Sequence, residues 1–438
     1  MDTTVVTNSG SIRGVETDQC IIYKGIPYAR PPVGERRWKE PEDCMPWSGI
    51  YNADSFSAKC PQSEHAYGLY KKEFYENTEY LRESSEDCLY LNIWTPKEKK
   101  GRLPVAFYIH GGAFSGGYSS ELEFDGAAYC SRDVILVTIN YRLNLFGFLA
   151  HPWLSEESPK GISGNYGIFD QIKALTWVYE NIEFFGGDAS NITVFGQSAG
   201  CMSTQVLLSS ELTKNMIAKV ILQSGAMYKS DLLYMPDLAQ ALDIGIKIQD
   251  LSGAKDLKDL RSLRIEELNE IRDRFMEKAW QEGNGIVLVP NVDGYLLRDS
   301  VSEVFRQGKI KDIPIMIGTV ASDIGGSPQQ MERGEIGPLS QEAIDWCIHL
   351  KELGREPAYL YYFSHPLPGD DSGAFHSAEL WYMFGTLDRC WRPMTQADQE
   401  LSQEMLDDWT TFMKTGHPTT SGDWKPYRTT EPFVKEFY

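Results

Sequence analysis

Positive charge is what this chain has least of. Against 62 Asp and Glu it sets 42 Lys and Arg, a formal net charge of -20 over 438 residues. Nucleic acids and anionic membrane surfaces are polyanions, so neither is an expected partner. No apolar run approaches the length of a membrane-spanning helix. Met1-Asp2-Thr3-Thr4-Val5-Val6 carries neither the basic stretch nor the apolar stretch of an export leader. The expectation is therefore a cytoplasmic protein with no membrane partner. The eight cysteines (Cys20, Cys44, Cys60, Cys88, Cys130, Cys201, Cys347 and Cys390) form no Cys-x-x-Cys pair. A metal site is not expected, and in a reducing compartment most would be buried thiols. Internal repeats and low-complexity tracts are missing too, which removes solenoids and disordered arrays.

What is present is core. Hydrophobic residues make up 42% of the chain, with 11 Trp, 23 Tyr and 19 Phe, enough for a sizeable interior. Short β-prone pieces occupy the first hundred residues: Thr3 to Thr7, Ser11 to Gly14, Cys20 to Tyr23 and Cys88 to Trp94. From Pro104 the pattern changes to continuous apolar runs, Val105 to His110 and Val134 to Ile139, the signature of strands buried on both faces. An amphipathic stretch from Asp170 to Asn181 follows, then a strand at Ile192, a helix from Ser198 to Ser209 and a strand from Lys219 to Gln223. This alternation predicts an α/β fold with a mainly parallel central sheet flanked by helices. Residues 230–286 are charged and helical in pattern, and read as an insertion capping the sheet. Strands resume at Ile313 to Ile317 and Ala358 to Phe363. With strands on both sides of the insertion, one domain spanning 1–438 is expected.

The chemistry centres on Ile192-Thr193-Val194-Phe195-Gly196-Gln197-Ser198-Ala199-Gly200. A serine between glycines at a sharp strand-to-helix turn holds its hydroxyl clear of the sheet, at the positive end of the new helix. As a pentapeptide this is weak evidence, and its partners must supply the rest. A serine nucleophile needs a base, a group that orients the base, and donors for the oxyanion. The α/β-hydrolase chain order is serine, acid, histidine. Four histidines lie far enough downstream: His349, in a helical segment; His417, in a Gly-His-Pro turn; His365, restricted by Pro366; and His376, after the long loop that begins at Pro368. On the residues alone His376 ranks modestly ahead of His365. For the acid, Asp323 follows the strand Ile313 to Ile317, while Asp293 competes from an Asp-Gly turn. His110-Gly111-Gly112-Ala113-Phe114 follows a buried strand, where backbone N–H donors belong.

Taken together these strings resemble the type-B carboxylesterase family of the α/β-hydrolase superfamily, the group that includes cholinesterases and bacterial para-nitrobenzyl esterases. Glu86-Asp87-Cys88-Leu89-Tyr90-Leu91-Asn92-Ile93 and Phe195 to Gly200 match its two signatures. Lys24 to Ala29, Asn140-Tyr141-Arg142, Gly164 to Gly167, Gly186-Gly187-Asp188 and Gln223-Ser224-Gly225-Ala226 add to the resemblance, which runs from about Gly10 to Pro426. It implies Ser198 as nucleophile, His376 as base, Asp323 as acid and the N–H groups of Gly112, Ala113 and Ala199 as oxyanion donors. It also implies Ser224 as a supporting residue and Cys60–Cys88 as a disulfide, a pairing left open here. The implied substrate is a small-molecule carboxylic ester, hydrolysed through an acyl-enzyme with no metal or organic cofactor.

Three departures stand out. Gln197 occupies a position often held by glutamate in the family. Aspartate replaces the commoner glutamate at 323. Only 53 residues separate Asp323 from His376, which implies a reduced cap and a permissive pocket. Two alternatives share the pattern: a non-catalytic cholinesterase-like binding protein, disfavoured by the intact triad, and a thioesterase or amidase.

Overall fold

The computed structural model describes residues 2–64, 68–98, 101–225, 227–228, 235–326 and 335–438. A three-stranded sheet near the amino end contains β1 (Thr4–Thr7), β2 (Gly10–Arg13) and β5 (Ile50–Asn52). The main sheet has ten strands: β3 (Val15–Glu16), β4 (Cys20–Pro27), β6 (Tyr90–Pro96), β7 (Leu103–Ile109), β8 (Ile135–Ile139), β9 (Gly187–Gln197), β10 (Lys219–Gln223), β11 (Ile315–Val320), β12 (Tyr359–Phe363) and β13 (Lys435–Phe437). Their order across the sheet is β13-β12-β11-β10-β9-β7-β8-β6-β4-β3. From β13 to β8 every pairing is parallel, and β6, β4 and β3 complete the sheet antiparallel.

The continuous apolar runs have a direct cause. Successive side chains of a strand point to opposite faces, and here both faces are covered. Along β7, Val105, Phe107 and Ile109 enter one core cluster while Ala106 and Tyr108 enter the other. Helices α1 (Tyr166–Asn181) and α2 (Ala199–Ser209) cover the first face through Leu175, Val178, Val206 and Leu207. The long helix Gln396–Thr415 covers the second through Met405, Leu406, Trp409 and Phe412. Helix α1 begins four residues before the expected Asp170, which is fully buried and bonded to Arg142 Nε at 2.8 Å and Nη2 at 2.7 Å. Strand β9 also begins early, at Gly187, because Gly187 pairs with Leu103. Strand β11 runs later than expected, from Ile315, just beyond Pro314, which has no N–H for the ladder.

The insertion is helical as expected. It comprises α3 (Leu238–Ser252), α4 (Leu257–Ser262) and α5 (Ile265–Gln281). Asp237 and Gln240 form a capping box that starts α3. Helix α5 buries Leu268, Ile271, Phe275 and Ala279 and leaves its charged face to solvent. Residues 230–234 of this insertion, and Ala226 of the Gln223–Ala226 motif, lie outside the described residues. Cys60 and Cys88 are joined in a disulfide with Cα atoms 5.1 Å apart. Closing a loop of 28 residues stabilises the folded chain by about 3–4 kcal/mol in the chain-entropy account.

Candidate active site

Strand β9 ends at Gln197 and α2 begins at Ala199, so Ser198 alone makes the turn. Its backbone sits at φ 57°, ψ -123°, a strained conformation for a residue with a side chain. The flanking glycines are dictated by close packing. A Cβ at Gly196 would fall 2.5 Å from Gly200 C, and one at Gly200 would fall 2.0 Å from Ile109 O of β7. The Ser198 N–H donates to Gln223 O at 2.9 Å, tying the turn to β10. Ala199, in the first turn of α2, has an N–H with no intrahelical acceptor.

Asp323 and His376 come from loops beyond β11 and β12. The two loops zip together before either side chain is placed: Ser322 N–H donates to Ala374 O at 2.9 Å, and Ser322 pairs with Phe375 as an isolated bridge. This register brings Asp323 Oδ1 to 2.5 Å from His376 Nδ1, with both residues 7% exposed. The shorter aspartate reaches the imidazole because the backbones are already paired. Asp323 is itself held by N–H groups of Ile324 at 2.9 Å and Val320 at 3.3 Å. Tyr70, from the short helix Leu69–Phe74, donates its hydroxyl to His376 O at 3.0 Å. The other ring nitrogen, His376 Nε2, lies 3.1 Å from the side-chain amide Nε2 of Gln197.

The loop after β7 has an unusual backbone. Gly112, Ala113 and Phe114 have φ of 101°, 55° and 57° in succession. Such a run aims consecutive N–H groups into one concavity. The N–H groups of Ser115 and Gly116 both donate to Gly112 O at 2.9 Å, closing the loop. Among the described residues nothing accepts from the N–H of Gly112 or Ala113. Gly111 touches the elbow itself, since a Cβ there would lie 3.2 Å from Ser198 Cβ. His110 props this loop from behind. Its ring stacks on Tyr141 with centroids 4.5 Å apart, and burial lowers its pKa to about 4, so it stays neutral.

One cavity of about 490 Å³ gathers Ser198, His376, Gln197, Gly112 and Ala113 on its walls. Ala199 follows Ser198 in the chain and Asp323 backs His376, and neither they nor Ser224 are on its walls. Ser224 (φ 48°) is buried at the end of β10, its N–H bonded to Gly318 O at 2.9 Å, and its hydroxyl makes no hydrogen bond to any described residue. The competing candidates are engaged elsewhere. Asp293 accepts from the N–H groups of Tyr295 at 2.9 Å and Leu296 at 2.7 Å and from Asn165 Nδ2 at 2.8 Å, fixing a turn. His365 pairs with Asp398 at 2.9 Å, His349 with Glu352 at 2.8 Å along one helix, and His417 with the Tyr359 hydroxyl at 2.7 Å. A second cavity of about 680 Å³ lies in the insertion, between α3 and α5, and holds none of these groups. Among the described residues no cluster of His, Cys, Asp or Glu is arranged to hold a metal ion, and no helix is long and apolar enough to cross a membrane.

Several residues at the site escaped the sequence reading. Glu379 is fully buried near Asp323, and burial first, then the Asp323 charge, raises its carboxyl to about 8. Glu121, Glu123 and Tyr108 line the cavity. Only Glu379 had a nearby signal, its place three residues after His376.

The carboxylesterase family matches residues 1–343 and 340–436. The chain belongs to the carboxylesterase family. It is 32% identical to the para-nitrobenzyl esterase of Bacillus subtilis (strain 168) over 465 aligned positions, covering 97% of this chain and 92% of that one. It is 38% identical to the fumonisin B1 esterase of Sphingopyxis macrogoltabida over 324 positions, 72% of this chain and 55% of the relative. In three dimensions this carboxylesterase resembles a solved PNB esterase with a TM-score of 0.84 at 29% identity, covering 100% of this chain and 96% of the other. Its sheet and helices are those of an α/β-hydrolase.

Proposed function

We propose that this carboxylesterase works as a single catalytic domain that hydrolyses small carboxylic esters through an acyl-enzyme on Ser198. Ser198 Oγ attacks the ester carbonyl while His376 Nε2 takes its proton. Asp323, 2.5 Å from Nδ1, fixes the tautomer that leaves Nε2 free to accept, and stabilises the imidazolium that forms. The N–H groups of Gly112, Ala113 and Ala199 hold the tetrahedral oxyanion, where losing one donor costs about 3 kcal/mol of transition-state stabilisation. His376 then returns the proton to the leaving alcohol, and water repeats the sequence on the acyl-enzyme.

Gln197 packs against the base. The Gln197 amide nitrogen lies over the imidazole, 3.1 Å from Nε2 and 3.5 Å from Nδ1, and leaves the in-plane lone pair of Nε2 to Ser198. The observation that carries the reading is the Asp323–His376 contact at the wall of a cavity that also holds Ser198. A panel of p-nitrophenyl esters from acetate to laurate tests it, with Asp323→Asn as the decisive variant. The wild type should hydrolyse esters of the panel, and the variant should lose about 10³–10⁴ in kcat. Near-normal turnover in Asp323→Asn would remove Asp323 from the site.

A further inference from the structure

The substrate cavity contains two buried carboxyls that ester hydrolysis does not call for. Glu121 and Glu123 both line it, and they are only 5% and 2% exposed. Glu121 Oε1 accepts from the Tyr75 hydroxyl at 2.5 Å. The Glu121 and Glu123 carboxyls interact with each other, and Glu123 Oε2 is buried with no hydrogen bond of normal geometry to any described residue. The hydroxyl of Tyr108, also on the cavity wall, is buried and without a hydrogen bond among the described residues. Buried polar atoms of native proteins are nearly always paired, so unpaired ones in a substrate cavity point to a group that arrives with the ligand.

The chemistry of that group follows from what surrounds it. Cations in the neighbourhood have other partners: Lys59 is bonded to Glu64 at 2.6 Å, Arg389 to Asp125 at 2.5 Å, and Arg272 to Asp273 at 2.9 Å. Among the described residues neither Glu121 nor Glu123 forms an ion pair. The pair is fixed in place, since the Thr386 hydroxyl holds Glu123 O at 2.9 Å. Phe74, Phe124, Met276 and Leu380 supply apolar lining in the same cavity.

We propose that Glu121, Glu123 and Tyr108 form a recognition site for a primary ammonium group carried by the ester substrate on a short hydrocarbon chain. The inference rests on the ester-hydrolase reading of the cavity and deepens it. A primary ammonium brings three N–H donors, matching the two carboxyl groups and the Tyr108 oxygen. A quaternary ammonium brings charge without donors, and an alcohol brings one donor without charge. Burial raises both carboxyls, and repulsion from Glu121 raises Glu123 further. A bound cation relieves that repulsion.

The test is isothermal titration calorimetry at pH 7.5 with n-pentylammonium, pentan-1-ol and pentyltrimethylammonium, on the wild type, Glu123→Leu and the near-isosteric Glu123→Gln. The wild type should bind pentylammonium at least tenfold more tightly than either comparison ligand, and both variants should shrink that ratio below threefold. Melting temperatures of the variants check that they fold, and Glu123→Gln serves if Glu123→Leu does not. Equal binding of amine and alcohol by the wild type overturns the proposal, as does a ratio that survives in the folded variants. Because calorimetry needs no turnover, a wild type that hydrolyses p-nitrophenyl esters but binds amine and alcohol equally sinks the ammonium site alone. Ammonium binding without any hydrolysis sinks the reading of Ser198 instead.

Discussion

Gln197 is the elbow residue that touches the base. Its amide touches the imidazole nitrogen that must accept the proton from Ser198. The amide brings no negative charge to the imidazole. A carboxylate at the same distance would favour the imidazolium, which cannot act as base. Gln197→Glu should therefore move the acid limb of the pH–rate profile upward by about one unit or more, read from kcat/KM between pH 5 and 9; an unchanged profile refutes the role. The substitution itself was legible in the sequence, but its contact with Nε2 was not, because it depends on how a loop some 180 residues away folds back. The same holds for the base. From the residues alone His365 stayed close behind His376, and only the pairing of Ser322 with Phe375 shows why one histidine meets Asp323 and the other meets Asp398. Glu121 and Glu123 were invisible because a Glu-Leu-Glu string ordinarily marks a solvated face.

At the scale of elements, the strands that are buried on both faces were plain from their apolar runs, and β10 was placed to the residue. Pairing order could not be read locally, since β7 leaves its sequence neighbour β6 to pair with β8 and β9. The insertion was recognisable as helical but not its seat. Helix α3 docks through Gly245, where a Cβ would fall 1.7 Å from Ala150 O. In an exposed helix Gly→Ala is worth about 1 kcal/mol in favour of alanine. Here the clash with rigid backbone outweighs that gain, so Gly245→Ala should destabilise by about 1–3 kcal/mol. Urea melts compare the two proteins directly, and a variant as stable as wild type or more so contradicts the docking.

The whole molecule carries its acidity inward as well as outward. Burial raises Glu379 to about 8 and Asp408 to about 7. In the unfolded chain both ionise near pH 4, so between pH 5 and 8 the folded state holds protons that the unfolded state has released. Stability then falls as pH rises, by up to about 1.4 kcal/mol per pH unit for each such group. Asp370 is lowered well below the usual carboxylate range and Asp398 to about 2, despite burial, by hydrogen bonds from Ser372 and Arg392 and from Thr395. They contribute stability that is lost only below about pH 4. The melting temperature should thus be higher at pH 5.5 than at pH 8.0, with Glu379→Gln flattening the decline. A wild-type melting temperature that climbs across this range runs against the account. The excess of 62 acidic over 42 basic residues adds self-repulsion in the same direction.

The central claim is that Ser198 is the nucleophile, and a fluorophosphonate tests it most directly. Incubation with the probe should abolish ester hydrolysis and add one phosphonyl group by intact mass, which peptide mapping then places on Ser198; the Ser198→Ala protein should take up none. Absence of an adduct on active wild-type enzyme, or an adduct mapped to another serine, would contradict the account.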